Sequence, residues 1–139
     1  MIVFDIDGTL SIVGDRAKHL KRRPPDWGSF RARCSEDLPN NGICYLYKSL
    51  WHMENVMVVT SRPESCREAT VVWFARYGLQ LDEVDLLMRA DGDKRQDVIV
   101  KPELIEPYKD DITCIFEDRI VMAREWRRLG YTCCDVAGN

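Results

Sequence analysis

Short apolar runs alternate along this chain with longer stretches of helical periodicity. Runs at Met1–Asp7, Asn55–Thr60, Asp85–Met88, Ile112–Phe116 and Tyr131–Val136 are rich in Val, Ile and aromatic residues. Their length suits strands buried on both faces. Between them, 64–77 carries Ala69, Val72, Trp73, Ala75 and Tyr77 and then meets Gly78, a natural helix stop. The segment 119–129 carries Val121, Met122, Trp126 and Leu129 before Gly130, and 39–53 predicts a further helix with Tyr45, Leu46 and Leu50 facing inward. Helices alternating with strands predict an α/β fold around a parallel sheet.

Residues 11–40 break this alternation. They are polar, proline-bearing and aromatic, and predict a small cap-like insertion within a single domain spanning 1–139. The length of 139 residues suits one domain, and 45% hydrophobic with 31% charged residues excludes a disordered chain. The net charge of −3 excludes a uniformly basic nucleic-acid coat protein. Charge is nevertheless uneven. From Arg16 to Arg33 seven bases face one acid, a balance of +6, whereas Asp82–Asp118 has twelve acids against five bases, a balance of −7. A solvated face is the plain reading of either run.

The apolar runs fall short of the roughly 18–20 residues of a membrane span. The segment Met1–Asp7 is too short and too acidic for a signal peptide. The expected compartment is therefore the cytoplasm, that of the host cell if the chain is phage-encoded. Cys34, Cys44, Cys66, Cys114, Cys133 and Cys134 form no CxxC pair and are expected to be free and mostly buried. The histidines, His19 and His52, are far from any cysteine pair, which argues against zinc.

Chemistry-bearing residues collect at the ends of the predicted strands. Asp5-Ile6-Asp7-Gly8-Thr9 puts two carboxylates on one strand face, and Gly8 permits a sharp exit at the C-terminal sheet edge, where parallel sheets bind ligands. One carboxylate can attack an electrophile while the other shuttles a proton, and both can help hold a hard cation. Thr60-Ser61-Arg62-Pro63 offers a hydroxyl, backbone N–H groups and a guanidinium to an anion, or simply starts the next helix. Lys101, four residues after Asp97, can neutralise carboxylate and phosphate together. Glu117-Asp118-Arg119 adds acidic metal ligands, or caps the helix that follows.

In this order, the four signatures resemble those of the haloacid dehalogenase-like phosphotransferases. The resemblance implies a Rossmann-like three-layer sandwich with central sheet order 5-4-1-2-3, bound Mg2+ and an aspartyl-phosphate intermediate. It implies Asp5 as nucleophile, Asp7 as general acid and base, and Thr60 and Lys101 at the phosphoryl group, beside Ser61 and Arg62. It implies Asp118 on the metal with Asp5 and the Asp7 backbone carbonyl, and Asp97, Glu117 and Arg119 in support. The motif often reads Asp-Asp where this chain has Glu117-Asp118. Within that superfamily, Leu86-Leu87-Met88-Arg89, Gly92-Asp93, Asp97, Lys101, Glu117-Asp118-Arg119 and Trp126-Arg127-Arg128-Leu129-Gly130 are similar to the 3′-phosphatase domain of phage polynucleotide kinases, a nucleic-acid repair function. The similarity runs from Met1 to Val136-Ala137-Gly138 and is weakest in 11–40. No kinase P-loop, GxxxxGK[ST], occurs in the chain, so the resemblance is to the phosphatase half alone.

The expected reaction is Mg2+-dependent removal of a 3′-phosphate from DNA or RNA ends, with hydrolysis of free nucleoside monophosphates as the alternative. A minimal cap should leave the site open to a polymer end. The basic run can follow a nucleic-acid backbone, with Trp27 or Phe30 either stacking a base or filling a small satellite core. An acid that protonates a leaving oxygen must be protonated when substrate binds, so Asp7 is expected to have a raised pKa.

Overall fold

The first apolar run becomes the middle of a sheet because both of its faces are covered. A computed structural model describes residues 1–137, and Gly138 of the sequence motif lies outside the described residues. The strands are β1 (Ile2–Phe4), β2 (Ser11–Ile12), β3 (Leu38–Pro39), β4 (Val56–Pro63), β5 (Leu86–Arg89), β6 (Cys114–Glu117) and β7 (Cys133–Asp135). The α-helices are α1 (Trp27–Ala32), α2 (Asn41–Trp51), α3 (Arg67–Arg76), α4 (Asp97–Ile105) and α5 (Ile120–Arg128).

The main sheet has the order β5-β4-β1-β6-β7 and is parallel throughout. This is the expected order 5-4-1-2-3 read from the other edge; the labels differ because the two short strands β2 and β3 lie outside this sheet. Alternate residues of each strand feed opposite layers. Ile2, Phe4, Val56 and Val58 pack with Tyr47 of α2 and with Trp73 and Phe74 of α3. Val3, Met57, Val59 and Ile115 pack with Ile105 of α4 and with Met122, Ala123 and Trp126 of α5. The result is a three-layer α/β sandwich.

Some faces differ from the sequence reading. In α2 the buried residues are Cys44 and Tyr47, with Ile43, Leu50 and Trp51 packed beside them, while Tyr45 and Leu46 are exposed. The i, i+4, i+7, i+8 set of 43, 47, 50 and 51 makes the wider apolar stripe and therefore takes the core. Val72 of α3 is also exposed, with Thr70 and Phe74 turned inward beside Trp73, and Val121 and Leu129 are exposed while Met122, Ala123 and Trp126 of α5 are buried. Helix α4 has no counterpart in the sequence reading, because Pro102 stands inside it. Gly78 and Gly130 end their helices at φ +62° and +94°, as expected.

Residues 11–40, the expected cap-like insertion, build a second, two-stranded sheet outside the main one. This sheet is the antiparallel pair β2–β3, with Ser11 opposite Pro39 and Ile12 opposite Leu38. A 3-10 turn over Asp15–Lys21, α1 and a second 3-10 turn at Cys34–Glu36 lie between the two strands. All six cysteines are free. Among the described residues no helix is long and apolar enough to cross a membrane.

Candidate active site

The C-terminal ends of β1, β4 and β6 meet the N-terminal half of α4, and the strand-end residues converge there. Asp5 leaves β1 with its N–H donating to Phe116 O at 3.0 Å, which ties it to β6. Its carboxylate is buried and accepts from Lys101 Nζ at 2.7 Å. The same ammonium donates to Glu117 Oε2, also at 2.7 Å. Lys101 reaches both because α4 projects it over the ends of β1 and β6, where it is itself buried. Removal from water is costly for all three charges, and their mutual attraction offsets it only while every partner stays in place.

Oxygen atoms of Asp5, Glu117 and Asp118 lie within 4.8 Å of one another. Three carboxylates against the single charge of Lys101 leave a net negative, all-oxygen pocket, which fits a hard divalent cation. Asp118 also accepts from Thr9 Oγ1 at 3.5 Å. The turn that brings the β1 end to Asp118 depends on Gly8. Its φ is +99°, and a Cβ there would stand 2.1 Å from Asp118 Oδ2. A glycine therefore makes the cradle for this carboxylate.

Asp7 faces a different set of partners. Arg62 donates Nε to both of its carboxylate oxygens at 3.1 Å and Nη2 to Oδ1 at 2.6 Å. Arg16 Nη2 donates to the same Oδ1 at 2.5 Å. Arg16 is buried and also grips Asp37, through Nε at 2.6 Å and through Nη2. Asp37 takes a further hydrogen bond from Ser11 Oγ at 3.0 Å, while its carbonyl accepts from Trp73 Nε1 at 2.8 Å. The cap thus closes onto the core through Arg16 and Asp37. The acids that converge as a metal cluster are Asp5, Glu117 and Asp118; the Asp7 carboxylate is turned away toward the two arginines.

The electrostatics differ sharply between the two acids. Burial pushes the Asp5 carboxyl up, to about 7, with Lys101 opposing the shift and Glu117 adding to it. Burial also raises Asp118, helped by the charge of Asp5. For Asp7, burial acts upward too, but Arg62 and Arg16 outweigh it and hold the carboxyl down at about 2. The expectation of a raised Asp7 pKa is therefore corrected, because two guanidinium groups favour the ionised form more than desolvation opposes it.

The remaining sequence candidates are close by in different roles. Thr60 is buried and its Oγ1 accepts from Arg62 N at 3.2 Å. Ser61 Oγ is buried with no hydrogen-bond partner of ordinary length, yet it lies near enough to Asp97 to help lower the pKa of that carboxyl. Arg62, expected at an anion, is buried against Asp7 and donates its last nitrogen to Thr70 Oγ1 at 3.1 Å. Asp97 starts α4 and is held by Arg89 and by Arg119. Burial acts upward on it, but Ser61, Arg119, Lys101 and Arg89 together lower its pKa. The Arg119 N–H donates to Glu117 Oε1 at 3.3 Å.

Arg16, Asp37 and the organising role of Arg89 escape the sequence reading. Arg89 is buried and joins the carbonyls of Ser61, Asp93 and Arg95 to the carboxylate of Asp97, so one side chain sets the loop before α4. Arg16 sits in a run of surface cations, and nothing local distinguishes it. Its partner Asp37 follows Glu36 just before β3, where an acidic pair reads as a solvated surface rather than as a buried anchor.

With this geometry, the relatives are informative. Residues 1–139 match the family described as the polynucleotide kinase PNKP phosphatase domain. A chain from the structure of a Pnkp1/Rnl/Hen1 complex is similar at 28% identity, with a TM-score of 0.80, over 97% of this chain and 45% of that one. A chain from the structure of the Pnkp1/Rnl/Hen1 RNA repair complex is similar at 28% identity and a TM-score of 0.81, over 97% of this chain and 41% of that one. The present chain thus spans less than half the length of these neighbours. A whole-length family match, carried by a fold that brings Asp5, Lys101, Glu117 and Asp118 to one sheet edge, makes this chain a member of the polynucleotide kinase PNKP phosphatase-domain family and a phosphatase.

Proposed function

We propose that the chain is a Mg2+-dependent phosphomonoesterase that removes a terminal 3′-phosphate from DNA or RNA. The observation that carries this reading is the buried Asp5 carboxylate, fixed 2.7 Å from Lys101 inside the acidic cluster with Glu117 and Asp118. An anionic nucleophile approaches an anionic phosphate only where positive charge is supplied.

Asp5 attacks phosphorus through a carboxylate oxygen, and the bond to the sugar oxygen breaks as that oxygen takes a proton from Asp7. Water then attacks the phosphorus of the aspartyl-phosphate and gives its proton to Asp7, releasing inorganic phosphate and Asp5. Lys101 neutralises Asp5 and the transferring group, while Glu117 orients Lys101. Thr60 and Ser61, with the backbone N–H groups after β4, receive the phosphoryl oxygens. Asp5, Asp118 and the Asp7 carbonyl would hold Mg2+, which supplies further charge neutralisation at the phosphate. The incoming phosphate competes with Asp7 for Arg62 and Arg16. Sharing those guanidinium groups raises the pKa of Asp7 and readies it to carry the proton.

The test compares phosphate release from a 3′-phosphorylated oligonucleotide with release from a panel of mononucleotides, each in Mg2+ and in excess chelator. The expected result is metal-dependent hydrolysis with kcat/KM highest on the oligonucleotide. Hydrolysis of mononucleotides alone makes the enzyme a nucleotidase and overturns the proposal.

A further inference from the structure

We propose that Trp27 and Phe30 of the cap form a stacking platform for the base of the substrate's terminal nucleotide. This deepens the polynucleotide-end reading and rests on it.

The argument runs outward from Asp7. Arg16 touches Asp7 with Nη2, donates Nη1 to the Phe30 carbonyl at 3.3 Å, and lays its guanidinium 4.1 Å from the centre of the Phe30 ring. The Phe30 ring meets the Trp27 indole edge to face, with centroids 6.0 Å apart at 89°. A continuous series of contacts therefore joins Asp7 to the indole. Asp7 is the group that meets the leaving oxygen. That oxygen belongs to the terminal sugar, and the base is the next rigid group beyond it.

Trp27 is also unlike the core tryptophans. Trp73 and Trp126 are fully buried, while Trp27 is 49% exposed. A tryptophan serving a satellite core should bury most of its ring. This one keeps half in solvent and lies beneath the Arg31 guanidinium, 5.5 Å from the ring centre. Lys18, Arg22 and Arg23 are exposed in the same insertion. An exposed indole among cations, joined to Asp7 through Phe30 and Arg16, has the composition that unpaired nucleotides bind: a π-face for the base and positive charge for the backbone. Stacking accepts every base, so the platform adds affinity without sequence preference.

The test measures kcat and KM for wild type, Trp27→Ala and Trp27→Phe on two 3′-phosphorylated oligonucleotides, one ending in an ordinary nucleotide and one in an abasic nucleotide. Wild type should favour the ordinary end, and Trp27→Ala should raise KM on it about 5- to 100-fold with kcat retained. The two proteins should converge on the abasic end, and Trp27→Phe should recover most of the lost affinity. Equal wild-type turnover of the two ends overturns the platform. So does a matching loss of p-nitrophenyl phosphate turnover in Trp27→Ala, because it means that the indole merely props the cap that holds Arg16. If oligonucleotides are refused and mononucleotides hydrolysed, the polymer-end reading fails separately. The platform is then decided by comparing a nucleoside monophosphate with ribose phosphate, where equal kcat/KM overturns it.

Discussion

Lys101 and Asp5 are 96 positions apart in sequence and 2.7 Å apart in the fold. Their contact depends on two elements packing at once: β1 between β4 and β6, and α4 against the ends of those strands. The same ammonium holds Glu117, so a single lysine joins the first and last strand-end motifs.

Asp5→Asn should abolish turnover and preserve the fold, because the side chains are nearly isosteric and Lys101 keeps Glu117. Loss of a covalent nucleophile costs several kcal/mol of barrier, or at least about a thousandfold in rate. Steady-state kinetics beside thermal unfolding checks this; turnover within tenfold of wild type refutes the assignment.

Stability should fall with rising pH through one window because of Asp5. Its folded pKa, about 7, exceeds that of the unfolded chain, so the native state holds a proton that the unfolded state has released. The Asp5 contribution is fully present below about pH 4 and is lost by about pH 7. Asp7 acts in the opposite sense at lower pH: its stabilisation exists above about pH 4 and disappears as pH falls through about 2. Urea midpoints of metal-free wild type and Asp5→Asn from pH 2 to 8 separate the two, and Asp5→Asn should lack the decline between pH 4 and 7.

Gly8→Ala should weaken metal affinity more than it weakens the fold. The added methyl collides with Asp118 at a positive φ, and Asp118 must move. A Mg2+ titration of activity should shift to higher concentration by about tenfold or more, given the sensitivity of metal sites to displaced ligands. An unchanged titration midpoint would show that Asp118 is not a ligand.

Arg16→Lys should cost at least about tenfold in kcat despite keeping the charge. A lysine cannot bridge Asp7, Asp37 and the Phe30 carbonyl at once, as the planar guanidinium does. Near-wild-type kcat would assign Arg16 to cap stability alone.

Arg22→Ala with Arg23→Ala should reduce the salt dependence of oligonucleotide turnover by about one unit of slope per lost phosphate contact or less. Both residues are exposed. Turnover of mononucleotides should change little. An unchanged slope makes this part of the insertion a solvated face.

Local patterning along the chain is enough to specify a parallel α/β sheet and the residues at its C-terminal edge, whereas the sheet order is legible only through the family resemblance. Asp5, Asp7, Thr60 and Asp118 were legible because each follows an apolar run, and a parallel sheet brings such ends together whatever the intervening chain does. Pro102 masks the helical pattern of α4, and in α2 several apolar residues compete for one stripe, so that only packing selects the inward face. Tertiary structure alone decided which charge meets which. Arg62 reaches Asp7 across 55 positions, and Arg16 leaves a surface-like run of cations to become buried between Asp7 and Asp37. It therefore also decided that Asp7 is held low while Asp5 is pushed high, although the two stand two residues apart in one motif. Local patterns encode secondary structure, but a carboxyl group's proton affinity is set by burial and by every charge within a few ångströms, and those neighbours assemble only in the folded chain.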